Sequence, residues 1–143
     1  MDRSFICLRQ PRSINAEKKQ SYLKALIDAF CQRYPGHIAY DGELYGKIYY
    51  FCKKRIGMDA DNISKPIWDA LANTAYKDDK QVGLRIAGIF NLGAGANIQE
   101  LNLTEIPEEL LPALLDGIDN QDHILYIEFG DLDYRMFKFG RGI

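Results

Sequence analysis

Five aspartates crowd a segment of ordinary length, "MDADNISKPIWDALANTAYKDDKQV": Asp59, Asp61, Asp69, Asp78 and Asp79 all fall between Met58 and Val82. Carboxylates in such numbers repel one another and cannot build a core, so their concentration points to a job for the charge. Ionised aspartates are hard oxygen ligands. A divalent cation among them would cancel the repulsion, and Mg²⁺ is suited to such a set because it takes octahedral oxygen ligands at about 2.1 Å. It also keeps waters that can serve as nucleophiles. Asp59 and Asp61, two residues apart in extended chain, point the same way just ahead of a helix, whose positive end favours anions. Asp78 and Asp79 lie past the far end, in a loop before a strand. For them to join the first pair the chain must fold back, as a strand beside the one preceding Asp59 would make it do. The competing reading is that Asp59 and Asp61 cap the helix and "KDDK" is a solvated turn. A calcium EF-hand loop is excluded: "DADNISKPIWDA" has Ile63 at the fifth position, Ser64 where glycine belongs and Ala70 where the bidentate glutamate belongs.

The helix that positions these acids is expected to begin near Asn62, with Asp61 or Asn62 as N-cap and Pro66 in its first turn. At about 100° per residue, Ile63, Ile67, Ala70, Leu71 and Thr74 share one side. Lys65, Trp68, Asp69 and Ala72 share the other, which makes Trp68 and Ala72 candidates for a subunit interface. Lys65 is one turn from Asp61 and could offset charge on a phosphate undergoing substitution; the alternative is a surface ion pair with Asp69. Upstream, "SFICLR" reads as a strand and "INAEKKQSYLKALIDAFCQRY" as an amphipathic helix capped by Asn15 or Ser13 and stopped by Pro35-Gly36. "HIAYDGELYGKIYYFCKK" reads as a hairpin about Asp41-Gly42. Downstream, "VGLRIAGIFNL" is a strand, "GAGAN" a break, "TEIPEELLPALLDG" one or two helical turns, and "HILYIEFG" and "YRMFKFG" closing strands. The order is α+β: one domain, a mixed and mostly antiparallel sheet with two main helices packed on it.

The letters of the acidic segment form a longer pattern: D-x-D-N, a lysine three residues on, D-A-L, then D-D-x-Q-V leading into a strand. Here these are Asp59, Asp61, Asn62, Lys65, Asp69, Ala70, Leu71, Asp78, Asp79, Gln81 and Val82. This resembles the signature of the RusA family of Holliday junction resolvases, Mg²⁺-dependent endonucleases of bacteria and their prophages. "LRQPRSIN" is a weaker echo near the start, and Gly93 to Tyr134 shows none. The resemblance implies that Asp59, Asp61 and Asp79 bind the catalytic metal, Mg²⁺ or Mn²⁺ in its place, and that Lys65 sits beside the scissile phosphate. Asn62, Asp69, Asp78 and Gln81 would support them. It further implies a homodimer acting on branched DNA, and residues 1–143 as one RusA-like nuclease domain with an acidic, partly helical insertion or extension at about 93–122.

Whole-chain numbers are consistent with this. A chain of 143 residues, 47% hydrophobic and 27% charged, is one globular unit. The net charge of −2 conceals asymmetry: Met1 to Arg85 carries 15 basic against 10 acidic residues, and Ile86 to Ile143 carries 3 against 10. The basic half can meet phosphate through Arg9, Arg12 and Lys18 and through Lys53, Lys54 and Arg55, which lead directly to Asp59. Cys7, Cys31 and Cys52 are odd in number and lack metal spacing, as expected in a reducing cytoplasm. No stretch approaches the roughly 18 apolar residues of a membrane span. His37 and His123 are isolated and read as structural, and "GAGANI" lacks the third glycine of a dinucleotide loop. The competing functions are a nuclease for flaps or RNA, and a catalytically inactive module that docks a protein partner through its acidic C-terminal region, Glu100 to Asp133.

Overall fold

The computed structural model describes residues 1–13, 17–54, 56–94 and 98–141. Four strands, β1 (Asp2–Cys7), β2 (Leu44–Cys52), β3 (Val82–Asn91) and β4 (His123–Asp131), form one sheet in the order β1-β4-β2-β3. β4 is antiparallel to both β1 and β2, whereas β2 and β3 are parallel. Helices α1 (Lys19–Arg33) and α2 (Ala60–Leu71) cover one face, and α3 (Leu111–Asn120) lies against the other. The fold is a mixed α+β domain with a mostly antiparallel sheet. Among the described residues no helix is long and apolar enough to cross a membrane.

Each helix is placed by its apolar spacing. α1 buries Tyr22, Leu26 and Phe30, four residues apart, and Phe30 meets Phe5 of β1 edge-on at 5.4 Å between ring centroids. Gly36, at φ +78°, takes the left-handed conformation that ends the helix run at Pro35-Gly36. The helix starts at Lys19, so Ser13 precedes it by several residues, and Asn15 lies outside the described residues. α2 starts at Ala60, earlier than expected, because Asp59 is its N-cap: Oδ1 accepts the Asn62 N–H at 2.8 Å. Pro66 therefore falls inside the helix, where it lacks the N–H that would bond to the Asn62 carbonyl. Burial of Ile63, Pro66, Ile67, Trp68 and Leu71 in the core offsets that loss.

Three expectations are corrected. The hairpin about Asp41-Gly42 does not form. Tyr40 makes a single bridge with Tyr76, its N–H bonding the Ala75 carbonyl at 3.1 Å and its carbonyl accepting the Lys77 N–H at 3.1 Å. The turn after α2 thus takes the backbone groups a hairpin partner would have used. "YRMFKFG" is no strand: Asp133 caps a short 3₁₀ turn at Tyr134–Met136, and Phe139 stands 93% exposed. Trp68, finally, does not face away from the core. It is 1% exposed, and its ring lies over Gly46, where a built Cβ would overlap it. Covered by the sheet on one side and by Arg85 on the other, it is too buried to offer a surface to a second subunit, whereas Ala72 is half-buried at the core margin.

The two histidines have structural settings. His37 accepts from Arg3 Nε at 3.2 Å, and its Nε2 lies 2.8 Å from the Ala75 carbonyl. His123 Nδ1 is 2.6 Å from the Tyr50 hydroxyl, and burial holds its pKa below the ordinary value.

Candidate active site

The exposed edge of α2 carries Asp61, Lys65 and Asp69 at four-residue spacing, which stacks them in one stripe about 6 Å apart along the axis. Lys65 Nζ is 3.5 Å from Asp69 Oδ2. Beyond the helix, Asp78 caps a 3₁₀ turn (Asp79–Gln81), its side chain accepting the Lys80 N–H at 3.0 Å while Gln81 Oε1 accepts the Asp78 N–H at 2.8 Å. Gln81 Nε2 donates to the carbonyls of Tyr40 and Gly42, at 2.8 and 2.9 Å, and so pins the 37–43 loop to this turn. Asp78 and Gln81 thus cap the turn that carries Asp79.

Asp79 itself meets Arg85 of β3, whose Nη2 donates to the Asp79 carbonyl at 2.6 Å and lies 3.4 Å from Oδ2. Its carboxylate also comes within hydrogen-bonding reach of Asp69. Partial burial acts to raise the Asp79 pKa, but the hydrogen bond and charge of Arg85, together with hydrogen bonding to Asp78 and Asp69, outweigh it and hold the group below the ordinary carboxylate value. A depressed carboxyl adds stability above its unfolded pKa, near 3.9, and that contribution is lost as pH falls through the folded value. An NMR titration is therefore expected to show Asp79 ionising below about 3.9 in the native chain, and at a higher pH in Arg85→Gln. An unshifted midpoint in that variant would remove Arg85 as the cause.

The acids do not close into one set. Parallel pairing of β2 and β3 requires α2 to carry the chain back along the sheet, so Asp59 and Asp61 stand at one end of the helix and Asp79 beyond the other. Asp61 and Asp69 are two turns apart, about 12 Å, and Asp79 approaches Asp69. Among the described residues no group of three His, Cys, Asp or Glu side chains could hold a metal ion. Asp59, Asp61 and Asp79 are not gathered into such a group among the described residues. One oxygen of Asp59 is also engaged as the helix cap.

What the fold does gather is a cleft of about 870 Å³ beside the open edge of the sheet, lined by Asp61, Asn62 and Lys65 of α2 and by Arg85 and Ala87 of β3. Arg85 stacks over the Trp68 ring at 5.9 Å and is the charged lining residue that sequence reasoning missed. Its side was not legible from alternation, because the pairing shifts by one residue at Gly83 and moves Arg85 beneath α2, opposite Gly46. Basic side chains collect at the end of the sheet where α2 begins. β1, β2 and β3 all run toward it, followed there by exposed Arg9, half-buried Arg12 and exposed Lys53 and Lys54; Lys18 precedes α1. Lys53 Nζ donates to the Asp119 carbonyl at 2.9 Å. Arg55 lies outside the described residues.

Residues 7–99, more than half of the chain, match the family model of endodeoxyribonuclease RusA. The chain belongs to the RusA family. The match takes in β1's end, both large helices, β2 and β3, and stops before α3 and β4. RusA membership makes the α2 stripe and its cleft the nuclease candidate, since the acidic and lysine positions fall inside the matched region. No curated protein matches the chain.

Proposed function

We propose that this protein is a divalent-cation-dependent endonuclease of branched DNA that acts as a homodimer in the cytoplasm, with Mg²⁺ the preferred ion and Mn²⁺ a substitute. The observation that carries the reading is the RusA match over the segment that places Asp61 and Lys65 on a solvent-facing cleft. Both are exposed, and Arg9, Lys53 and Lys54 stand at the same end of the sheet, where they can hold phosphates. Asp59, Asp61 and Asp79 are the proposed metal ligands. Because α2 separates Asp79 from Asp59 and Asp61, the reading calls on a second copy of the chain to bring the two groups together, with waters and the DNA supplying the remaining oxygens. The ion supplies water activation and charge neutralisation when bound. The chain's own side chains have separate work. Lys65 and Arg85 face the cleft with positive charge for a phosphate, Asp69 orients Lys65, and Asn62 lines the wall.

A second reading, an inactive relative that docks a partner through its acidic C-terminal region, is favoured by one observation, the lack of a three-ligand group among the described residues. The purified chain assayed on a four-way junction, a flap, linear duplex and a structured RNA, with and without Mg²⁺, separates the possibilities. Junction cleavage that needs Mg²⁺ is the expected result. Preference for a flap or RNA changes the substrate, and inertness toward all four favours the docking module.

A further inference from the structure

A second cleft, of about 530 Å³, opens on the other face of the sheet, between β1, β4 and β2 below and the 101–107 segment above. That segment lies past the family match. At its floor is Glu128, whose side chain is 19% exposed. Oε1 accepts the Tyr126 hydroxyl at 2.6 Å and Oε2 accepts the Tyr45 hydroxyl at 2.7 Å. Burial, then the hydrogen bond to Glu128, raises the pKa of both tyrosines, so both stay donors. Two donors leave Glu128 an acceptor with lone-pair positions to spare. Its cation neighbour is Lys47, directly opposite on β2, whose Nζ forms a long ion pair with Oε2 at 3.9 Å and lies over the Tyr45 ring at 5.8 Å. Asp2 and Glu105 add two further carboxylates to the lining, so acids outnumber the single ammonium three to one. One wall is aromatic: the rings of Tyr49 and Tyr126 lie 15° from parallel with centroids 6.3 Å apart.

We propose that this cleft binds an organic cation, an alkylammonium or guanidinium group, against the Tyr49 and Tyr126 rings with its N–H donors on Glu128. Aromatic faces attract such cations through their quadrupole, and a sheltered carboxylate strengthens the attraction. The surplus of acids repels phosphate, which separates this site from the α2 cleft on the opposite face, and it does not rest on the nuclease reading. The cation could be a free polyamine or a basic side chain of a protein partner; the chemistry is shared.

Titration of the full chain with spermidine, an arginine- and lysine-rich peptide, and inorganic phosphate, followed by calorimetry and by the NMR signals of Tyr49 and Tyr126, tests it. Saturable binding of spermidine or the peptide with Kd below about 1 mM is expected, with none for phosphate. Equal affinities assign a free amine, and a peptide about tenfold tighter assigns a partner side chain. Glu128→Gln should weaken binding about tenfold or more. Lys47→Met should strengthen it severalfold by removing a like charge, a direction that loss of structure would not produce, and this variant decides the matter if Glu128→Gln fails to fold. No saturation by either cation, or weaker binding in Lys47→Met, overturns the proposal.

Discussion

Asp61→Asn is expected to reduce Mg²⁺-dependent junction cleavage by about 10²–10³-fold or more while the protein stays folded. Asp61 is exposed on the first turn of α2, with no hydrogen bond from its carboxylate to another element among the described contacts, so replacing it removes a charged oxygen ligand without opening the core. The stability change is confined to the charge–dipole contribution at the helix start, about 0.3–1 kcal/mol. Comparison with Asp59→Asn separates chemistry from capping. Asparagine caps a helix about as well as aspartate, so that variant should melt like the parent. If Asp59 is also a metal ligand, it should lose cleavage nonetheless. Lys65→Met completes the set. It should lower kcat by about 10²-fold with little effect on metal affinity, since the lysine is 68% exposed and paired with Asp69 at 3.5 Å. Steady-state cleavage and metal titration of the four proteins read these outcomes. Parental activity in Asp61→Asn would remove the α2 stripe as the active site.

Trp68→Ala is expected to destabilise the fold by about 3–5 kcal/mol. Against a total of roughly 5–15 kcal/mol for a domain, that is a large share, and the melting temperature should drop by roughly 10 °C or more. The ring is 1% exposed and is a contact surface for Gly46 of β2, with Arg85 stacked on it. Gly46→Val should act in the same direction, because its side chain needs the space the indole holds. The two effects should not add, since removing the indole vacates that space. Urea melts of the single and double variants give the coupling. A Trp68→Ala protein that melts like the parent but no longer self-associates would restore the interface role that helical spacing suggested.

That contrast shows where spacing stops being informative. The angle of each side chain about the α2 axis follows from 3.6 residues per turn, and it correctly puts Ile63, Ile67 and Leu71 inward and Lys65 and Asp69 outward. The width of the buried arc does not follow from it. The Trp68 ring lies over Gly46 of β2 and under Arg85 of β3, so the arc widens on the β3 side to include Trp68 and Ser64. The hairpin failed for a related reason: Asp41-Gly42 has turn chemistry, but the neighbouring backbone groups found better-placed partners in the 75–77 turn and Gln81.

The sequence by itself determined the α+β class, the two main helices and the RusA signature from Asp59 to Val82, because each depends on residue types at short separations. Tertiary structure alone decided how those letters meet. A strand after α2 does lie beside β2, as the acidic pattern required, but it runs parallel to it. Which strands become neighbours is a property of long-range hydrogen bonding that no local spacing encodes; once β3 pairs with β2, the helical crossover makes the pair parallel and sets Asp79 beside Asp69 and Arg85 instead of beside Asp59 and Asp61.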